Sequence, residues 1–326
     1  MNARNVFAAA LSVSLLWSCT GNDGSTPHPT GSTGDPSELA ASVASSDLYA
    51  GAPQRIEVGI SNQTADGVRL ITGGSLKFLF SYLGAAGTDT PLATGAATAN
   101  YVPAPGLPGS PAGTPTPTDP SVSRGVYLAD GVTFDRAGLW EVAVTGDIVG
   151  YGTQTLVTQF AVAEQPQLLA PGDEAFKTKN LTVHSKGVDP ASIDSRALDG
   201  APIPDRDLHE WTVAAALKQH RPILLIVATP TYCKSQFCGP DTDAVEQLAQ
   251  RYGDRAVFIH IEVYKDFNAT EEADVYNAAA LQWIQPVGTE PWMWLIGGDG
   301  KIIDRWSPVW DPNEVAQELA QLPKMG

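Results

Sequence analysis

Positive charge is scarce in this chain. Twenty Lys and Arg stand against 36 Asp and Glu, a formal net charge of −16. Nucleic acid and anionic lipid surfaces are met by clustered basic side chains, so this balance excludes both as partners. The excess acid reads as a solubilising surface. Cysteine is scarcer still: Cys19, Cys233 and Cys238 are the whole complement of 326 residues, too few for a disulfide-stapled scaffold. Charged residues make up only 17% while Gly (31) and Pro (25) are frequent, which points to stretches of loop and linker. The apolar fraction of 43% is enough to fill real cores, and the length suits two ordinary domains.

The first apolar run, Val6 to Trp17, is too short to span a bilayer as a stable helix. With Arg4 ahead of it, it fits the hydrophobic region of a secretory signal over residues 1–18. The run ends Leu16-Trp17-Ser18-Cys19, which resembles a bacterial lipobox, with Trp17 in place of the usual small residue. The resemblance implies lipidation at Cys19 and an exported, membrane-anchored protein. Thr20, rather than Asp, after that cysteine implies the periplasmic face of the outer membrane or the cell surface. Residues 19–44 are expected to be a disordered tether, since their Gly/Ser/Thr/Pro-rich start cannot bury enough surface to order itself.

From 45 to 165 short β-type runs alternate with turn residues. Residues 55–60, 75–82, 139–144 and 155–162 are expected strands, and an antiparallel β-sandwich follows from them. The stretch Phe134, Gly138, Trp140 resembles the penultimate hairpin of bacterial immunoglobulin-like domains, without a Cys-Trp-Cys framework. Residues 85–123, rich in Gly, Ala, Pro and Thr, are expected to be a long exposed loop. No catalytic constellation occurs in this module, whose expected role is spacing or partner binding.

Residues 166–205 read as a loop-rich connecting segment, after which the pattern changes. Residues 212–220 are a helix candidate capped by Thr212. Residues 222–228 form a continuous apolar run, as in a strand covered on both faces. Expected next are a helix at 241–252, a strand at 256–264, a helix around 271–281, a hairpin over 292–306 with Gly297–Gly300 at its turn, and a helix at 312–322.

This order resembles the thioredoxin fold over residues 206–326. The chain is therefore expected to be multidomain, an immunoglobulin-like β-sandwich followed by an α/β thioredoxin-like fold. Two local signals carry the resemblance. Tyr232-Cys233 falls just past a buried strand, as an aromatic-Cys pair does in that family. Glu290-Pro291-Trp292, leading into a strand and a Gly-rich turn, looks like the family's cis-proline segment. The resemblance implies that Pro291 lies beside Cys233 and that the Glu290 backbone is presented to an extended substrate. The departure is the spacing. Cys233 and Cys238 are separated by four residues, and in an ideal helix two such side chains point roughly 140° apart. They meet only if the intervening residues form a loop or the helix start unwinds.

A cysteine at a helix N-terminus feels the positive end of the helix dipole, which favours thiolate, and Lys234 would add to this. The leading expectation is thiol–disulfide exchange, with Cys233 as nucleophile, Cys238 as resolving cysteine, protein thiols or disulfides as partners and no cofactor. The family's buried Asp on the strand before the cysteine is missing, since Ile226 and Val227 stand there. On the next strand His260 and Glu262 share a face, so Glu262 is a candidate base or partner of His260; the alternative is a strand end near solvent. His184, His209 and His220 are expected at the surface. Other readings stay open. Cys233, Cys238 and His260 would form a soft copper site, as in Sco-type chaperones, which carry a Cys-x3-Cys pair and a His far downstream that this chain lacks. Thiol-peroxidase activity is implied by the Cys-x4-Cys spacing of one group of peroxiredoxins, although Thr229-Pro230 is offset by a residue. The last is a non-enzymatic surface adaptor with a structural disulfide.

Overall fold

The computed structural model describes residues 39–64, 66–87, 90–267 and 275–325. The expected signal, Cys19 and most of the expected tether lie outside the described residues. The tether's last part is not a tether: β1 (Leu39–Val43) is a strand laid antiparallel on β2 (Pro53–Thr64), with Leu39 opposite Asn62 and Val43 opposite Val58. The remaining strands of the β-rich part are β3 (Gly67–Thr72), β4 (Ser75–Tyr82), β5 (Leu92–Pro103), β6 (Thr116–Thr118), β7 (Gly125–Thr133), β8 (Gly138–Ile148) and β9 (Gly152–Val162). All nine belong to one hydrogen-bonded antiparallel network in the order β6-β3-β2-β7-β5-β4-β8-β9, with β1 paired to β2.

Period-two burial builds this part's core. Ile56, Val58 and Ile60 of β2, Leu76, Phe78 and Phe80 of β4, and Trp140, Val142 and Val144 of β8 turn into one shared apolar cluster. Phe134 sits at its centre, edge-on to Phe80, Trp140 and Phe160 at ring separations of 5.7, 4.9 and 5.4 Å. The Trp140 indole N–H donates back to the Arg136 carbonyl at 3.2 Å. The stretch 85–123 is not all loop, because it contains β5 and β6. The first seven residues of β5, Leu92–Thr98, are nearly all exposed and mostly small, so no apolar alternation marks them; the ladders to β4 and β7 hold the strand instead.

The C-terminal part is built on a four-stranded mixed sheet. Its elements are α1 (Val213–Lys218), β10 (Ile223–Ala228), α2 (Cys238–Tyr252), β11 (Val257–Glu262), β12 (Tyr264–Asp266), β13 (Val275–Tyr276), α3 (Ala278–Ile284), β14 (Trp292–Ile296), β15 (Ile302–Trp306) and α4 (Pro312–Gln321). The sheet order is β11-β10-β14-β15; β10 and β11 are parallel, and β14 and β15 antiparallel to their neighbours. β12 and β13 pair apart from it as a short ribbon. Thr212 caps α1, its hydroxyl accepting the Ala215 N–H at 3.1 Å. The helix expected around 271–281 begins later, at Ala278, and residues 271–274 lie outside the described residues.

All six residues of β10 are buried, and alternate ones serve opposite faces. Ile223, Leu225 and Val227 pack with Val213, Trp283 and Ile284, whereas Leu224, Ile226 and Ala228 pack with Val245, Leu248, Val315 and Leu319. Helices therefore cover both sides, which is why the strand reads as an unbroken apolar run. The segment 166–205 is more than a connector. It lacks long regular elements, yet Leu168, Ile193, Asp194 and Ser195 are buried, and it packs onto the C-terminal sheet. Among the described residues no helix is long and apolar enough to cross a membrane.

The β-rich part and the C-terminal part fall within one compact unit, Pro36–Gly326. Arg305 of β15 reaches back to Asp47, with Nη1 2.6 Å from the carboxylate and both side chains buried. Arg55 of β2 binds Asp304 at 2.7 Å and also Glu314. Arg124, just before β7, donates to the Gln236 carbonyl at 3.3 Å, which puts the β-rich part against the loop between the two cysteines.

Candidate functional site

β10 ends at Ala228, and residues 229–237 run as a non-helical loop into α2. The loop resolves the spacing problem. Cys238 is the first residue of α2 and Cys233 lies in the loop before it, so the pair closes as a disulfide with Cα atoms 6.0 Å apart. Gln236, at φ +62°, makes the left-handed step that turns the chain back. The helix expected at 241–252 starts three residues earlier, at Cys238, and the residues between the cysteines form a loop. The helix end still reaches Cys233, because the Cys238 backbone N–H points at Cys233 Sγ from 3.4 Å. The Ser235 hydroxyl lies 3.1 Å from the same sulfur.

The two cysteines differ in access. Cys238 is fully buried in the apolar cluster beneath α2, whereas Cys233 is partly exposed. Tyr232, next to Cys233, stacks on Phe267 at 3.9 Å and meets Tyr264 edge-on. Tyr276 continues this aromatic surface against Tyr264.

The Glu290–Pro291 bond is cis, and Pro291 is buried at the start of β14, where its carbonyl accepts the Ser307 hydroxyl at 2.6 Å. The side chain that accompanies it was not singled out in the sequence. A carboxylate oxygen of Glu290 lies within 4.8 Å of both cysteine sulfurs, forming one of the clusters able to hold a metal ion. Burial pushes the Glu290 carboxyl up to about 7; the nearby charge of Glu262 adds to this and Lys234 opposes it.

His260 and Glu262 do not lie near solvent: both are 1% exposed. Nor do they join the cysteines in one ligand set among the described residues. Glu262 accepts the Ser195 N–H at 2.8 Å and the Tyr264 N–H at 3.2 Å, and burial raises its carboxyl above the ordinary range. His260 donates through Nε2 to the Ala228 carbonyl at 3.0 Å and turns Nδ1 toward Asp194, 3.5 Å from Oδ2. His209, expected at the surface, is wholly buried, with Nε2 3.3 Å from the same Asp194 oxygen. Burial works to raise the Asp194 carboxyl, but the adjoining His209, His260 and Arg196 overcome it and hold it far below the carboxylate range. Burial lowers His209, whereas Asp194 outweighs burial at His260 and raises it.

This buried group lies directly behind the cysteine loop, since Ser195 Oγ also accepts the Thr231 N–H at 3.1 Å. Asp194 and Ser195 carried no sequence signal, because they sit in a segment without apolar period. His209 follows Leu208 in a short turn, and a histidine beside a buried leucine was the one hint. No protein-family model, curated protein or solved structure matches the chain.

Proposed function

We propose that the chain is a thiol–disulfide exchange protein acting through Cys233 and Cys238. The domain over 206–326 is then thioredoxin-like, preceded by an immunoglobulin-like β module and held outside the cytoplasm by a lipid on Cys19. The observation that carries this reading is the asymmetric pair itself. A partly exposed sulfur receives a helix-terminal N–H, its partner is buried, and one carboxylate lies within 4.8 Å of both. The helix amide stabilises negative charge on Cys233 and so favours its thiolate.

In the direction of substrate reduction, Cys233 gives up its proton to solvent and attacks one sulfur of a protein disulfide. The substrate S–S bond breaks, and the departing sulfur takes a proton from solvent. Glu290 then accepts the Cys238 proton, the Cys238 thiolate attacks Cys233 Sγ, and the mixed disulfide breaks. The second substrate sulfur leaves with the proton held by Glu290. Two electrons and two protons pass to the substrate, and the Cys233–Cys238 disulfide remains. Oxidation of a substrate dithiol is the same sequence reversed. In this reading Glu290, rather than Glu262, is the proton acceptor, because it is the carboxylate beside the sulfurs. The aromatic surface of Tyr232, Tyr264, Phe267 and Tyr276 is where an extended substrate would lie.

Trapping tests the reading. The Cys238→Ser chain, incubated with a disulfide-containing protein, accumulates a mixed disulfide at Cys233 that mass spectrometry identifies, while Cys233→Ser accumulates none. Equal trapping at both positions, or none at either, contradicts it.

A further inference from the structure

We propose that Asp194, His209 and His260 form a buried zinc site, separate from the cysteine pair, that holds the segment before α1 against β11 behind the cysteine loop. A zinc ion with bonds of about 2.0–2.1 Å to N and O ligands sets tetrahedral ligand atoms roughly 3.3–3.4 Å apart. Asp194 Oδ2 lies 3.3 Å from His209 Nε2 and 3.5 Å from His260 Nδ1, and all three ligand atoms fall within 4.8 Å of one another. None of the three residues is more than 1% exposed.

The orientation of His260 is the second, independent observation. Its Nε2 must carry the proton, because it faces the Ala228 carbonyl, which only accepts. That is the outer-shell bond that orients a metal-ligating imidazole. Its Nδ1 is buried, makes no hydrogen bond and points into the cluster. In the neutral ring this nitrogen turns a lone pair toward a carboxylate oxygen, and a bound cation converts that repulsion into two bonds.

The surrounding charge favours a divalent ion. Arg196 donates to Asp194 through Nη2 at 2.7 Å and Nε at 3.0 Å, but Asp205 and Asp243 share the guanidinium at 2.6 and 3.1 Å, and Glu262 stands two residues from His260. One guanidinium thus meets three carboxylates, with Glu262 close by. Two imidazoles and one carboxylate are a donor set that zinc takes with water as its fourth ligand. Because the Ser195 hydroxyl accepts the Thr231 N–H, loading the site steadies the loop that carries Cys233.

The test uses the full chain carrying Cys19→Ser with the Cys233–Cys238 disulfide closed, so that no thiolate can bind metal. After chelator treatment and zinc addition, it retains one zinc per chain through gel filtration, and its Tm rises. His209→Ala weakens zinc binding by more than the roughly 10- to 100-fold that an outer-shell change costs. Should that variant not fold, cobalt added to the Cys19→Ser, Cys233→Ser, Cys238→Ser chain still reads the site. Visible d–d absorption without thiolate charge transfer supports it. Absence of retained zinc, or of the cobalt bands, overturns it in favour of a metal-free ion pair of protonated His260 with Asp194.

Discussion

Replacing Glu290 by Gln keeps the shape of the side chain and removes its titration. Burial raises the folded carboxyl from 4.5 to about 7. At 1.36 kcal/mol per pH unit, this makes the ionised form of the folded protein less stable by about 3 kcal/mol. The favourable state is the protonated one. The wild-type chain therefore has its full stability below about pH 4.5 and loses this contribution as pH rises through 7, while the Gln variant loses none of it. Denaturation of both oxidised chains at pH 4.5 and pH 9 is the assay. The two should differ little at the lower pH. At pH 9 the variant should be more stable by about 3 kcal/mol, on the order of 6 °C in Tm. Stopped-flow measurement of the resolving step gives the catalytic half of the argument. The wild-type rate should rise with pH around 7, and the variant should be slower by about 100-fold with that inflection gone. A variant that keeps the inflection near pH 7, or that gains no stability at pH 9, refutes the assignment of Glu290 as the proton acceptor.

Two further substitutions test the architecture. Arg305→Ala leaves the Asp47 carboxylate buried without its partner and should cost about 3–5 kcal/mol in urea denaturation; an effect under about 1 kcal/mol would mean that the contact between the β-rich and C-terminal parts does not depend on this pair. Phe134→Ala opens a cavity among Phe80, Trp140 and Phe160 and should likewise cost about 3–5 kcal/mol, with loss of near-ultraviolet circular dichroism from the aromatic cluster.

Much of the architecture could be read from side-chain pattern because the relevant residues are large and periodic. The unbroken apolar run of β10, the alternation in β4 and β8, the Thr212 cap and the β14–β15 hairpin all carry strong local signals. β1 and β5 were hidden, since small or exposed side chains give no alternation and backbone pairing with neighbours holds them. At the site, the cysteines could be found by type and spacing. Glu290 could not, since a glutamate before a proline reads as an ordinary loop residue until the fold brings the start of β14 against Cys233 and Cys238. The burial of Asp194 and His209 was equally hidden. Neither belongs to a periodic element, and both are enclosed only when the irregular segment closes over β11.

The central claim is that the Cys233–Cys238 disulfide exchanges rather than staples. Its most direct test is the reduction potential of the full chain, equilibrated in defined glutathione buffers. A partly exposed sulfur served by a helix amide and a nearby carboxylate predicts a potential between roughly −270 and −120 mV, the range of exchange-active proteins. A value below about −300 mV, where structural disulfides of secreted proteins lie, would contradict it.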